Sequence, residues 1–302
     1  MEQSGGQVAV IEAPSCFSGS PWAVLRQAEA DMMAWRARPA DMRAAVADAL
    51  AEALCGNPPL PGATAAGEAV AGAVAAHAAS MLVEPAYHNQ YHQAEAARAM
   101  GWLCAAACRQ GLLLPAAAVA GVLAMAGHDL HHDGSRPPQG VLEAHSAAVT
   151  VALAASSGLD TAMQDVIRRV ILATDPLRPA AQRDADDLLC RIAQEADLFG
   201  SLTPNLGWQL SQALEHEYHA ACFHPDPPVA SYAGRLQLLC GVRPTTPAGV
   251  ALGLAATVAD QIAALAACGD GDAAQGAGRL DTLPAQEAEV RFAQALKEVA
   301  AA

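Results

Sequence analysis

Six of the ten histidines in this chain lie between residues 88 and 145, and several acidic side chains are interleaved with them. Imidazole nitrogens and carboxylate oxygens are ligands that divalent metal ions commonly take in proteins. The pattern therefore predicts that these side chains surround one metal-centred site with hydrolytic chemistry. The groups concerned are His88 with His92, His128 with Asp129 and His132, and Glu143 with His145.

The spacing within two of these groups is the spacing of one helical turn. His88 and His92 lie four residues apart, and so do His128 and His132. Residues four apart on a helix share a face, so each pair can point at one site. One such pair is common by chance. Two pairs, a His-Asp dyad between glycines and a downstream Glu-x-His, all within about sixty residues, together indicate a metal site.

Asp129 raises a geometric question because it directly follows His128. Neighbouring residues on a regular helix point about 100° apart. The two side chains can serve the same metal cluster only near a helix end, or if Asp129 bridges to a second ion. Gly127 and Gly134 flank the segment and make such a break in the helix easy.

The order of the motifs resembles the catalytic domain of class I cyclic-nucleotide phosphodiesterases, within the HD superfamily of metal-dependent phosphohydrolases. The resemblance covers about residues 85–240. It implies an all-α fold, a compact multi-helix bundle with the metal site in a central pocket. The matching segments are HNxxH at 88–92, HDxxHxG at 128–134, ExH at 143–145, Ala-Thr-Asp at 173–175 and Ala-Asp-Leu at 196–198.

The resemblance also implies two divalent metal ions and a ligand set for them. Asp129 would bridge from the first ion to a second ion that is otherwise held largely by water. The tight position would take Zn, Fe or Mn, and the second position would take Mg or Mn. The ligands of the first ion would be His92, His128, Asp129 and Asp197.

The remaining matched residues would carry out or support catalysis. His88 would act as the general acid that protonates the departing oxygen. Glu143 would orient His88 or a metal-bound water, with His132 as a further catalytic residue. Residues that hold the ligands and the acid in place would be Asp175, Thr174 and His145.

Substrate recognition departs from the family pattern. There, a glutamine hydrogen-bonds the purine and a phenylalanine stacks on it. Here Tyr232 stands at the glutamine position, and Arg235 at the phenylalanine position. Arg235 would either pair with a second anionic group or face solvent. Tyr87 and Asn89, on either side of His88, are further candidates for substrate binding.

Composition independently predicts helices and a large core. Of the 302 residues, 53% are hydrophobic and 16% are charged, and alanine, the best helix former, occurs almost throughout. Strand patterns are nearly absent. The expected organisation is a lead-in and helical extension at 1–62, a catalytic domain at 63–268, and a linker with a final helix at 269–302.

The net charge of −14 argues against a nucleic-acid polymer as partner and leaves room for a small anionic phosphate ester at a metal site. The apolar stretches at 115–127 and 247–259 are shorter than the roughly 20 residues that span a bilayer. The start of the chain lacks the pattern of a signal peptide. Eight scattered cysteines without a CxxC pair suit a reducing cytoplasm, and helices within 21–55 offer a contact for a possible homodimer.

Phosphodiester hydrolysis is the leading functional expectation, with a 3′,5′-cyclic nucleotide as the typical substrate. The same residues would also suit an HD-type phosphomonoesterase or nucleotidase, an HD-type di-iron oxygenase, or a catalytically silent nucleotide-binding module. The oxygenase would need His132 and His145 as ligands. Residues 215–219, EHEYH, are one residue short of the HExxH zinc motif and indicate a polar helix face.

Overall fold

The computed structural model describes residues 17–178, 187–242 and 244–301, and all regular secondary structure in these ranges is α-helical. The expectation of an all-α fold is confirmed for them, while an HD-type arrangement of the bundle stays a prediction. No helix in the described ranges is both long enough and apolar enough to cross a membrane. The helices are α1 (Pro21–Arg36), α2 (Met42–Leu54), α3 (Ala63–Ser80), α4 (Gln90–Arg109), α5 (Pro115–Ala126), α6 (Val141–Ser156), α7 (Thr161–Ala173), α8 (Leu188–Asp197), α9 (Phe199–Leu202), α10 (Pro204–Ala220), α11 (Tyr232–Gly241), α12 (Pro247–Ala251), α13 (Leu254–Cys268), α14 (Ala273–Asp281) and α15 (Ala285–Val299).

Helix α4 lies at the centre of the bundle. Every residue from His92 to Ala107 is buried, and α2, α5 and α8 pack around it. Small side chains permit this close packing. At Gly101 a Cβ atom would lie only 2.8 Å from the backbone of Ala49 in α2, so a larger residue would push these helices apart. Since α4 is enclosed, the polar residues at its start lie inside the protein.

The helices of the expected extension share the main hydrophobic core. Leu25 in α1 and Val46 in α2 are buried in the same cluster as the core residues of α4 and α5. Arg98 in α4 forms ion pairs with Asp31 and Asp48, which ties both N-terminal helices to the central one. The extension is therefore packed on the part of the chain that carries the histidines, while the expected boundary at residue 62 stays a prediction.

The glycine- and aspartate-rich composition of residues 269–278 predicts a linker there, but the structure shortens it, because α14 begins at Ala273. The side chain of Asp272 caps this helix by accepting a hydrogen bond from the Gln275 amide at 2.9 Å. A Cβ on Gly276 would collide with the carbonyl of Leu265, so glycine serves here for a close helix contact rather than for flexibility. The sequence also predicts a helix near 181–196, and the first part of it lies outside the described residues.

Candidate metal centre

Four side chains from three separate parts of the chain meet at the start of α4. His92 comes from the first turn of α4, Asp197 from the last residue of α8, and His128 with Asp129 from the segment after α5. The Nε2 atom of His92 lies 3.3 Å from Asp129 Oδ2 and 3.1 Å from Asp197 Oδ1. The Nε2 atom of His128 lies 3.2 Å from each of the same two oxygens. The structure thus brings together the four residues expected as ligands of the first ion.

The end of α5 explains how adjacent residues reach one point. Helix α5 stops at Ala126, and a Cβ on Gly127 would collide with the side chain of Thr150. His128 and Asp129 therefore follow a non-helical path, as expected from the flanking glycine. The Nδ1 atom of His128 donates a hydrogen bond to the Met125 carbonyl at 2.8 Å. This bond directs Nε2 toward the carboxylates and, in a neutral ring, leaves a lone pair there.

The two imidazoles and two carboxylates stabilise one another's charged forms. Burial by itself lowers the pKa of His92, but hydrogen bonds and charges from Asp129 and Asp197 outweigh it and raise that pKa to about 9. The pKa of His128 is raised well above its usual value by the same carboxylates, against the effect of burial. Burial raises the pKa of Asp129 and of Asp197, but the imidazoles bring both well below the usual range.

These donors also fit a divalent cation. Two ligand atoms that each lie about 2.1 Å from one ion, at roughly tetrahedral or octahedral angles, are about 3.0–3.4 Å apart. The nitrogen-to-oxygen distances of 3.1–3.3 Å fall in this range. Ligand atoms of His92, His128 and Asp129 all lie within 4.8 Å of one another. An ion at this point would replace the protons that the imidazoles otherwise need.

The raised pKa of His92 predicts how the metal-free protein responds to pH. The folded state holds this proton more tightly than an unfolded chain, whose histidine pKa is near 6.5. The stabilisation is complete below that value and is lost as pH rises through about 9. We expect urea unfolding of chelator-treated protein to show falling stability between pH 6.5 and 9. Metal-loaded protein is the control and should not show this fall; an identical fall in both samples would contradict the assignment.

A second polar group, made of His88, His132 and Glu217, lies next to the first. The Nδ1 atom of His88 is 2.5 Å from Glu217 Oε1, and the other oxygen of Glu217 accepts the backbone N–H groups of Tyr87 and His88 at 2.9 and 3.0 Å. The ring of His132 stacks on that of His88 at 3.9 Å, with 13° between the planes. The His88 and His92 rings are 5.9 Å apart, so the two groups are neighbours.

Charge is unequally distributed in this second group. Burial raises the pKa of Glu217, but its hydrogen bonds with His88, the charge of His88 and the backbone bond of Tyr87 lower that pKa to about 2. Burial and the neighbouring His88 lower the pKa of His132 to about 4. The Nδ1 atom of His132 accepts the Gly134 N–H at 3.0 Å. At neutral pH, Glu217 is therefore ionised and His132 is neutral.

The interpretation of residues 215–219 as a polar helix face is wrong for Glu217. Its side chain is buried and directed at His88, whereas His216 and His219 on the same helix are exposed. Glu217 is thus a site residue that sequence reasoning missed. No local spacing could reveal it, because its partner lies 129 positions earlier. The i,i+4 pairs His88/His92 and His128/His132 are each split between the two polar groups. Neither of these pairs lies wholly within a helix, because α4 begins after His88 and α5 ends before His128.

Glu143, Asp175 and Thr174, which were expected to support catalysis or the ligands, lie at the start of α6 and at the end of α7. Glu143, in the first turn of α6, is half-buried, and burial with the nearby charges of Asp175 and Asp129 raises its pKa. Asp175 accepts hydrogen bonds from the Gln139 side chain at 3.0 Å and the Leu177 amide at 2.8 Å. The hydroxyl of Thr174 donates to the Ile171 carbonyl at the end of α7.

Tyr87 and Asn89 border the two groups. The Tyr87 ring packs on His88 and His92 at 4.8 and 4.7 Å, and its hydroxyl lies 3.0 Å from that of Ser201. The Asn89 side-chain oxygen accepts hydrogen bonds from the backbone N–H groups of residues 91 and 92 in the first turn of α4. Its NH₂ group donates hydrogen bonds to the backbone carbonyls of residues 85 and 86. Asn89 therefore sets where α4 begins. Substrate binding by either residue stays a prediction.

Arg235 and Tyr232 are both buried in the packing around α11. The Arg235 guanidinium donates hydrogen bonds to the carbonyls of Ser201 and Thr203 and to the side chain of Gln261. Tyr232 stacks on Trp208, with ring centroids 4.8 Å apart. Two alternatives were expected for Arg235, pairing with an anionic group or facing solvent. Its burial shows that the second alternative is wrong. The described contacts of both side chains are with the protein, and substrate binding by them stays a prediction.

Replacing Arg235 with methionine should destabilise the fold rather than change substrate affinity. The buried carbonyls of Ser201 and Thr203 would lose their donors, and each orphaned acceptor costs about 1–3 kcal/mol. We expect urea unfolding to show a loss of about 3 kcal/mol. The exposed Arg168→Met change, which removes a surface ion pair with Asp165, is the control and should cost little. Unchanged stability with a raised KM would instead indicate that Arg235 contacts substrate.

Comparison of the chain with protein-family models and with curated proteins gave no match. The expectations drawn from the motif resemblance therefore stay predictions, to which the structure adds the distances between the side chains.

Proposed function

We propose that this protein is a metal-dependent phosphohydrolase of the HD type that hydrolyses a phosphodiester, such as a 3′,5′-cyclic nucleotide. One observation carries the proposal: the hydrogen-bonded pair of His88 and Glu217 lies directly beside a cluster of four side chains of the types that bind metals. Hydrolysis of a phosphodiester requires both parts, since charge on the phosphate must be neutralised and the leaving alkoxide must gain a proton. The resemblance of the motifs to class I phosphodiesterases supports the same reaction.

The proposal assigns His92, His128, Asp129 and Asp197 to the first of two divalent cations. Bound there, the cations would neutralise charge on the phosphoryl oxygens and make a nucleophilic hydroxide available at neutral pH. Asp129 presents two carboxylate oxygens and, by resemblance, would bridge to the second cation. Zn, Fe or Mn suits the tight position, and Mg or Mn suits the second.

His88 is the proposed general acid. Its Nδ1 atom is occupied by the carboxylate of Glu217, which is ionised at neutral pH. The hydrogen bond fixes the ring plane and leaves Nε2 as the nitrogen that can deliver a proton to a leaving oxygen. His132, which is neutral and stacked on His88, restricts rotation of the ring. Glu217 is therefore a positioning residue that acts through His88.

A cytoplasmic location belongs to the same proposal. Six cysteines in the described ranges are free thiols, and one of them, Cys104, is buried in the core; the six are Cys55, Cys104, Cys108, Cys222, Cys240 and Cys268. Free thiols are typical of proteins in a reducing compartment.

The test uses full-length protein that is stripped with a chelator and reloaded with Mn²⁺ or Mg²⁺. We expect hydrolysis of bis-p-nitrophenyl phosphate and of cyclic AMP or cyclic GMP, and little activity without metal. Turnover of monoesters alone would indicate a phosphomonoesterase or nucleotidase instead. No turnover of any ester, with metal demonstrably bound, would overturn the proposal.

A di-iron oxygenase and a silent nucleotide-binding module would each give a distinct signature. The oxygenase would show iron-specific absorption in aerobically purified protein, and the silent module would bind a nucleotide without hydrolysing it. The oxygenase also needs His132 and His145 at the irons. In the structure His132 stacks on His88, and His145 contacts His131.

A further inference from the structure

Three histidines meet outside the two polar groups described above. His77 lies near the end of α3, His131 in the segment after α5, and His145 near the start of α6. The rings of His77 and His131 are 4.5 Å apart, and those of His131 and His145 are 5.2 Å apart. His131 and His145 are exposed and His77 is half-buried, so this outer histidine cluster opens to solvent.

The closest contact in the outer histidine cluster joins two potential ligand atoms. The Nδ1 atoms of His77 and His131 are 3.2 Å apart. Two nitrogens bound to one Zn²⁺ at about 2.0–2.1 Å and near-tetrahedral angles lie about 3.2–3.4 Å apart. The two rings thus already have the separation that a shared ion requires. The third ring, that of His145, is exposed, and its centroid lies 5.2 Å from that of His131.

The protein makes little other use of these imidazoles. In the described part of the chain, none of the three rings pairs with a carboxylate, in contrast to His88, His92 and His128. The Nε2 atom of His77 is buried without a hydrogen-bond partner. An imidazole binds a metal ion through a ring nitrogen that carries no proton.

The backbone at His131 adds a further observation. Its φ angle is +73°, in the left-handed region that residues other than glycine seldom adopt. The residue with this conformation is the one whose ring lies against His77. Unfavourable backbone conformations of this kind often accompany binding sites.

We propose that His77, His131 and His145 form a separate site for a transition-metal ion of the Zn²⁺ class. Three neutral imidazoles with an open fourth position make up a familiar zinc ligand set. His131 is two residues from Asp129, so an ion here would hold in place the segment that supplies residues to both polar groups. The site does not depend on the proposed hydrolytic function.

The test measures Zn²⁺ binding rather than activity. Metal-free Asp129→Ala protein, in which the first polar group has lost a ligand, is dialysed against buffered Zn²⁺, alone and combined with His145→Ala or His77→Ala. We expect either histidine change to weaken the remaining zinc binding at least about tenfold, because even indirect partners of a ligand contribute that much. His216→Ala, at an exposed histidine on α10, is the matched control and should change nothing.

A second measurement identifies the ligands directly. The His77→Ala and His145→Ala variants assign the ring nitrogen NMR signals of these two histidines, because each signal is missing from the spectrum of its variant. In the Asp129→Ala protein, Zn²⁺ should shift these assigned signals. Equal zinc binding by the control and by His145→Ala, which alters only an exposed side chain, would overturn the proposal. So would a zinc titration that leaves the signals of these histidines unmoved.

Discussion

Replacing Asp129 with alanine should abolish metal binding at the centre and catalytic activity together. The Asp129 carboxylate contacts the Nε2 atoms of both His92 and His128, so its removal leaves Asp197 as the one carboxylate of the proposed ligand set. Metal affinity should fall by more than about 100-fold, because even residues that only orient a ligand are worth about 10–100-fold. The measurements are metal content after dialysis, corrected for zinc at the outer histidine cluster, and turnover of bis-p-nitrophenyl phosphate.

Asp133→Ala is the matched control for this change. Asp133 lies in the same segment, but it is exposed and its carboxylate accepts the Ser135 amide at 2.9 Å. We expect Asp133→Ala protein to keep both metal and activity. If Asp129→Ala kept its metal while the fold stayed intact, the assignment of the first polar group as the metal centre would be wrong.

Replacing His88 with alanine should lower turnover strongly and leave the metal content unchanged. The expected loss is about 10²–10⁴-fold, the usual contribution of a positioned general acid. The loss should be larger for cyclic AMP than for a p-nitrophenyl ester, because a poor leaving group depends more on protonation. Glu217→Gln should give a smaller loss with the same dependence on leaving group, since it removes the charge that orients the ring. Steady-state kinetics with both substrates, together with metal analysis, tests this prediction.

Glu215→Gln is the matched control for Glu217→Gln. Glu215 lies two residues earlier on α10, where its carboxylate accepts the Val229 amide and contacts His219, away from His88. Its replacement should leave the leaving-group dependence unchanged. If His88→Ala or Glu217→Gln protein lost a metal ion, then His88, His132 and Glu217 would themselves be a metal site, and the assignment of the acid would be wrong.

The all-α fold and the region of the site could be predicted from the sequence alone. Alanine-rich segments with few β-branched residues favour helices at almost any packing, because helix propensity is a local property. The break after α5 was also predictable, because Gly127 and Gly134 flank the segment and glycine readily leaves helical geometry. The order of the HNxxH, HDxxHxG and Ala-Asp-Leu motifs pointed to His92, His128, Asp129 and Asp197, which the structure places together.

Only the tertiary structure decided which residues became partners across the bundle. Glu217 meets His88 because the end of α10 lies against the segment that precedes α4, and His77 meets His131 because α3 ends near the segment that follows α5. Burial of Arg235 likewise depends on where Gln261 lies in α13. Spacing along a chain determines which side chains share the face of one helix. Contacts between helices depend on how their surfaces pack, a property of the whole core that no local pattern encodes.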